Sequence, residues 1–283
     1  MNEKTCGYVS LIGFPNAGKS TLLNSLIKKK VSIISPKVQT TQEEIMGILN
    51  LNNTQIIFCD TPGLNKKKKF NSKKMSRSVF SNLDKIICNL LIVDVQAKFL
   101  SDDINFLNKI LKNYQKNILV INKIDLVNNA KLLLCSKKLN NEFKFDDTFM
   151  ISAKKKKGTD DLTNKLKKLM PINNWVFNEK EYTNKNDSFI ISEITREKIF
   201  GLLNKELPYV IKISTVLKKR EQIINVYQKI LIDKDSQKAI FIGKGGEKIK
   251  KIGTRARKDM ENFFNKKVFL DISVVVKKIK NSR

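Results

Sequence analysis

The 283-residue chain contains no histidine. Imidazole acid–base catalysis, a Ser-His-Asp triad and ordinary histidine zinc sites are therefore excluded. Whatever chemistry occurs must use carboxylates, hydroxyls, Lys or a metal ion. Long apolar runs are also missing; none approaches the ~18–20 residues of a membrane span. Residues Met1 to Cys6 lead straight into the first apolar run, so a cleavable leader would cut into it, and a cytoplasmic location is expected. The four cysteines, Cys6, Cys59, Cys88 and Cys135, show no C-x-x-C spacing, and the first three sit in or beside strand-like runs. Buried thiols in a reducing compartment are expected, not a disulfide framework or metal cluster. Acidic residues are scarce, 27 against 55 Lys and Arg, for a formal charge of +28. Such an excess suits nucleic acid or an anionic membrane surface. A plainer source competes: only six of the basic residues are Arg, and Lys, Asn and Ile abound throughout, as AT-rich coding produces. Runs such as Lys66 to Lys69 and Lys154 to Lys157 fit solvated loops. Charge carries information here only where its position gives it a target.

With 41% apolar residues the chain can fill ordinary cores, and its length allows two domains. Residues Gly13-Phe14-Pro15-Asn16-Ala17-Gly18-Lys19-Ser20 form a complete G-x-x-x-x-G-K-[ST] phosphate loop, with Thr21 next. It follows the apolar run Tyr8 to Ile12 and precedes residues with helical spacing, the context the motif requires. Its backbone N–H groups and the new helix's positive end can hold phosphate oxygens, Lys19 adds a full charge, and Ser20 is placed to ligate Mg²⁺.

Three further elements complete a nucleotide site. Gln55 to Cys59 reads as a strand ending in Asp60-Thr61-Pro62-Gly63, where Asp60 can hold Mg²⁺ through water and the Gly63 N–H can sense a γ-phosphate. Ile118 to Ile121 reads as another strand, ending in Asn122-Lys123-Ile124-Asp125. The Asp125 carboxylate can accept two hydrogen bonds from guanine N1 and N2, which adenine cannot donate, so the base is guanine. Sites built to hydrogen-bond their ligand discriminate by about 10⁴-fold or more. Asn122 is expected to tie this loop to the phosphate loop, and the Lys123 stem to lie on the base face. Ser152-Ala153-Lys154 follows a third apolar run, and an N–H near Ala153 can donate to guanine O6. Between the first two elements, the polar stretch Pro36 to Gln42 offers a Thr for Mg²⁺, Thr41 in preference to Thr40.

Such elements at strand ends, separated by helical segments, predict a doubly wound, mainly parallel α/β sheet over residues 1–172, with ligands at its carboxyl edge. The reaction is GTP hydrolysis, assisted by Lys19, Thr41, Gly63 and Mg²⁺. Leu64 stands where Ras-like proteins place the Gln that orients water. Turnover should be slow unaided, on the order of 10⁻⁴ to 10⁻² s⁻¹ by analogy. A partner or K⁺ could supply the missing function. The Asn16 oxygen is a candidate K⁺ ligand; its other reading is a stiffener of the loop.

Residues 173–188 are Asn-rich, lack periodicity and read as a linker long enough to permit motion. Beyond it, residues 189–283 give the order helix, strand, strand, helix, G-x-x-G, helix, strand. Gly243-Lys244-Gly245-Gly246 is the loop, and Ile249, Ile252, Ala256, Met260 and Phe263 recur at helical spacing after it. This is the pattern of a KH single-strand clamp, with Lys244, Lys248, Lys250 and Lys251 beside the phosphates.

The phosphate loop, Gln39-Thr40-Thr41, Asp60 to Leu64, Asn122 to Asp125 and Ile151 to Ala153 together resemble the bacterial Era GTPase family. So do Ser192 to Lys198 with Glu206-Leu207-Pro208-Tyr209, and Ile242 to Gly246 with Ala256 to Met260. The resemblance covers nearly the whole chain. It implies a GTPase domain followed by a type II KH domain, GTP or GDP with Mg²⁺, and a monomer. It also implies binding to 16S rRNA near its 3′ end, a role in 30S subunit maturation, and peripheral association with the inner membrane face. The chain departs from the family at Gln42, where Arg is usual, and it ends soon after the last expected strand. Two alternatives are a tRNA-modification GTPase, a class that uses a C-terminal Cys whereas the last Cys here is Cys135, and an RNA-binding module with negligible turnover.

Overall fold

The computed structural model describes residues 3–32, 45–60, 85–203 and 211–277. These fall into two compact units, one reaching Asn184 and the other starting at Lys185. Gln39 to Gln42, Thr61 to Leu64 and Glu206 to Tyr209, all singled out in the sequence, lie outside the described residues.

The first unit contains β1 (Thr5–Ile12), α1 (Lys19–Ile27), β2 (Ile45–Leu51), β3 (Thr54–Asp60), β4 (Ile86–Asp94), α2 (Ser101–Leu111), β5 (Asn117–Asn122), α3 (Asn129–Glu142), β6 (Asp147–Met150) and α4 (Thr159–Leu169). Its sheet has the order β2-β3-β1-β4-β5-β6. All pairings are parallel except β2 with β3. A parallel strand covered on both faces needs apolar residues at successive positions, which is why β4 and β5 are nearly continuous hydrophobic runs. Leu90, Ile92, Ile118 and Val120 pack with α1 and α4 in one core, while Leu91, Val93, Leu119 and Ile121 pack with α2 and α3 in another. The helices thus cover both faces, as the doubly wound reading requires. The chain leaves β1 toward β3 on one side and reaches β4 on the other, so the end of β1 is the topological switch point. The four cysteines are free, and burial pushes the Cys88 thiol up to about 12, which leaves it inert at neutral pH.

Residues 173–184 do not behave as a free linker. The Gln55 side-chain oxygen accepts from the Val176 and Phe177 N–H groups at 2.9 and 3.0 Å, and the Trp175 indole donates to the Asn53 carbonyl at 3.1 Å. Thr183 bridges to Gly47 in β2, and Asn184 accepts from the Met46 N–H at 2.9 Å. The segment is held by the Gln55 side chain and by backbone groups of β2 and the β2–β3 turn, which is why it shows no hydrophobic period of its own.

The second unit contains α5 (Asp187–Leu202), β7 (Lys212–Lys219), β8 (Ile223–Ile232), α6 (Asp235–Ile242), a short turn at Lys244–Gly246, α7 (Glu247–Phe264) and β9 (Lys267–Val276). β7 and β8 are antiparallel, β8 and β9 parallel. This is the type II KH arrangement. The expected α7 stripe is the core face: Ile252, Ala256 and Met260 are fully buried, with Ile249 and Phe263 packed at its margin. α5 begins with an Asn186 cap, whose side chain accepts from the Phe189 N–H at 2.9 Å.

Buried polar groups fix α5 to this sheet. Thr195 donates to Gln228 at 2.6 Å, and Gln228 donates to Thr215 at 2.9 Å. Arg196 pairs with Glu193 at 2.7 Å and donates to the Ile211 carbonyl at 3.3 Å. Lys198 lies between Glu197 and Asp259. The polar residues of Ser192 to Lys198 therefore tie α5 to the sheet and, through Lys198, to α7.

Candidate nucleotide site and nucleic-acid interface

The phosphate loop joins β1 to α1 at the switch point. Gly18 caps α1 with φ 98°, and Asn16 also has positive φ, 64°. A side chain at Gly18 would also collide with Asn122, whose Nδ2 lies 2.2 Å from the ideal Cβ position. Gly13 is needed for contact: its Cβ would stand 2.4 Å from the Ile92 carbonyl oxygen. Lys19 folds over the loop and donates to the Gly13 and Phe14 carbonyls at 2.8 and 3.3 Å. Its ammonium is thus anchored by the rim of the cradle it is expected to charge. Ser20 and Thr21 occupy the first turn of α1. Pro15 and Ala17 complete the loop, with Ala17 buried.

Asn122 ends β5 and is buried. Its Nδ2 donates to the Ala17 carbonyl at 2.9 Å, while its Oδ1 accepts from the Lys123 N–H at 2.8 Å and the Ala153 N–H at 3.0 Å. One side chain thus joins the phosphate loop, the Asn122–Asp125 loop and the Ser152–Lys154 turn. The Ala153 N–H, expected near guanine O6, is already engaged by Asn122.

Lys123 has φ 64°, and its ammonium pairs with Asp94 at 2.6 Å. Asp94 ends β4 at the same sheet edge and also accepts from the Gln96 N–H at 2.9 Å. Sequence reasoning missed Asp94; its only signal was an acid at the end of an apolar run, without a motif around it. Asp125 accepts from the Ser152 hydroxyl at 2.6 Å. That hydrogen bond holds its carboxyl below the usual carboxylate range; desolvation opposes it, and its own backbone N–H, Lys155 and Lys154 assist. The carboxylate is therefore charged and oriented at neutral pH.

Asp60 closes β3, and its Cα pairs in register with Leu11 near the end of β1. Thr41, Thr61, Pro62, Gly63 and Leu64 lie outside the described residues.

In the second unit, Gly243, Gly245 and Gly246 have φ of 74°, 59° and 80°. A Cβ at Gly243 would lie 2.8 Å from Lys248 Cγ. The loop therefore requires glycine for its backbone path, and leaves little side-chain bulk beside it. Lys244, Lys248, Lys250 and Lys251 are all exposed around it. No helix among the described residues is long and apolar enough to cross a membrane.

A phosphate loop at the switch point, with an Asn122- and Asp125-based guanine loop beside it, defines a P-loop GTPase; a KH unit follows on the same chain. Family models agree: residues 8–123 match the model described as 50S ribosome-binding GTPase, and residues 206–281 match the KH domain. GTPase Era of Coxiella burnetii is 38% identical over 280 residues, 98% of this chain and 94% of that protein. GTPase Era of Nitrosomonas eutropha is 39% identical over 276 residues, 96% of this chain and 92% of that one. The crystal structure of Era with MgGDPNP and nucleotides 1506–1542 of 16S ribosomal RNA superposes with TM-score 0.83 at 33% identity, covering 98% of this chain and 95% of that one. A variant of Aquifex aeolicus Era bound to GDP·AlF4⁻ gives 0.84 at 32% identity, covering 97% and 95%. The chain belongs to the GTPase Era family.

Proposed function

We propose that this chain is a GTP-hydrolysing switch that binds 16S rRNA near its 3′ end and assists maturation of the small ribosomal subunit. One observation carries the reading: a guanine site knotted through Asn122 and a glycine clamp with three positive-φ residues occur on one chain. The likeness to an Era structure holding a 16S rRNA fragment supports the choice of RNA.

In this reading the phosphate-loop N–H groups and Lys19 hold the β- and γ-phosphates. Asp125 accepts from guanine N1 and N2. With the Ala153 N–H given to Asn122, the Lys154 N–H is the donor assigned to guanine O6. Asp94 restrains the Lys123 ammonium, so that the aliphatic stem lies along the base. Mg²⁺ fits the donors present: the Ser20 hydroxyl and the Asp60 carboxylate are hard oxygens on neighbouring elements, and Mg²⁺ needs few protein ligands beside phosphates and water. When bound, the ion neutralises phosphate charge during transfer to water. Thr41 and Gly63 keep their sequence-derived roles at the γ-phosphate. Asn16 is the proposed K⁺ ligand. Phosphate release from GTP and from ATP, with and without the rRNA 3′ segment, tests this reading. GTP-only turnover that rises with RNA is expected; no turnover in any K⁺ or RNA condition would leave an RNA-binding module without catalysis.

A further inference from the structure

The sheet of the second unit has one face covered and one open. Its covered residues pack with α5, α6 and α7. By strict alternation, the other face carries Lys212, Ser214, Val216 and Lys218 from β7; Asn225, Tyr227, Lys229 and Leu231 from β8; and Lys267, Phe269, Asp271, Ser273 and Val275 from β9. Four large apolar residues are exposed there: Val216 at 54%, Phe269 at 51%, Val275 at 39% and Tyr227 at 37%. Val216, Tyr227 and Phe269 adjoin one another, while Val275 lies farther along the sheet beside Leu231. Val216 pairs in register with Tyr227, Leu231 with Val275, and the Tyr227 and Phe269 rings meet edge-on with centroids 6.2 Å apart.

Apolar residues clustered on one sheet face mark an interaction surface. Its charge decides what kind. Val216, Tyr227, Leu231 and Phe269 each have a Lys two positions away on the same strand, and Asp271 is the face's single acid. Lys218 Nζ stands 5.8 Å from the Tyr227 ring centroid. Protein–protein interface cores are depleted in Lys, so this interleaving fits a protein partner poorly. Flat aromatic faces among ammonium groups match unpaired bases on a phosphate chain.

We propose that this open face is a second RNA-contacting surface, separate from the Gly243–Gly246 clamp, on which unpaired bases stack against Tyr227 and Phe269 while Lys212, Lys218, Lys229 and Lys267 hold phosphates. The inference rests on the reading of this unit as RNA-binding. It assigns the molecule two RNA contacts on different sides of one sheet, so that a strand leaving the clamp can continue around the domain.

The test uses the full chain and a fluorescent oligouridylate containing 4-thiouridine. The Tyr227→Ser/Phe269→Ser double variant should lose about ten-fold or more in affinity, because each base–aromatic stack is worth about 1–3 kcal/mol. Both residues are exposed, so guanine-nucleotide binding and thermal midpoint should be unchanged. Photocrosslinks should map to Tyr227 and Phe269 and persist in Lys244→Asp. Unchanged affinity, or crosslinks confined to the clamp, would overturn this inference alone if the wild type binds. A variant that shifts sedimentation instead of affinity would show the face to be a self-association surface. Absence of RNA binding by a wild type that still binds GDP would overturn both this inference and the reading beneath it.

Discussion

The Asn122 side chain donates to the Ala17 carbonyl at 2.9 Å, joining the base loop to the phosphate loop across 105 residues of sequence. Its oxygen accepts from two further N–H groups, Lys123 and Ala153. Asn122→Ala removes all three hydrogen bonds, each worth roughly 0.5–1.5 kcal/mol net. GDP should dissociate about ten-fold to a thousand-fold faster. Stopped-flow chase of a fluorescent GDP analogue measures this, and an unchanged rate would mean the three loops do not act as one unit.

Asp125 is kept charged first by the Ser152 hydroxyl. A carboxyl held low delivers its recognition of guanine above its pKa and loses it as pH falls through that pKa. Ser152→Ala returns the pKa toward the ordinary value, so GDP affinity should fall at a higher pH than in the wild type. Paired titrations of affinity against pH decide the point; coincident acid limbs would contradict it. Asp125→Asn should shift preference from GTP toward xanthosine triphosphate, whose extra carbonyl accepts where guanine donates.

Asn16 has positive φ within the phosphate loop, and its side chain carries an amide oxygen. Hydrolysis should be faster in K⁺ than in Na⁺. Asn16→Gly keeps the φ accessible without the oxygen, so it should abolish the K⁺ advantage and leave nucleotide binding near normal. Equal rates in the two salts, or an advantage retained in the variant, would assign Asn16 to loop shape alone.

Glu193 and Arg196 form a nearly buried pair, with side chains 9% and 11% exposed. Removing one partner from such a pair strands the other charge and costs about 3–5 kcal/mol. Glu193→Ala should lower the urea midpoint of the KH unit markedly, whereas replacing both by Leu and Met should cost far less. Equal losses from the two would show that the pair's charges matter less than its packing.

Both the architecture and the site's chemistry were legible where the signal is local. Ile118 to Ile121 announced a buried parallel strand, Gly13 to Ser20 a phosphate cradle, and Gly243 to Gly246 a G-x-x-G loop, whose three glycines all take positive φ. What escaped was long-range. Asp94 reaches Lys123 across neighbouring strands, and nothing next to Asp94 in sequence marks it. The Ala153 N–H goes to Asn122, a pairing visible only once β5 and the Ser152 turn are side by side. Residues 173–184 looked like a linker because their partners, Gln55, Asn53 and Met46, lie more than a hundred residues upstream.

The central claim is that guanine-nucleotide state and rRNA binding belong to one switch. The most direct measurement is the affinity of the full chain for its own 16S rRNA segment equivalent to nucleotides 1506–1542 of the Era complex. It should be made with GDP and with a non-hydrolysable GTP analogue, for wild type and for Lys244→Asp/Lys248→Asp. The account predicts tighter binding with the GTP analogue, and loss of that binding in the clamp variant. Equal affinity in both nucleotide states, or full affinity in the clamp variant, would contradict it.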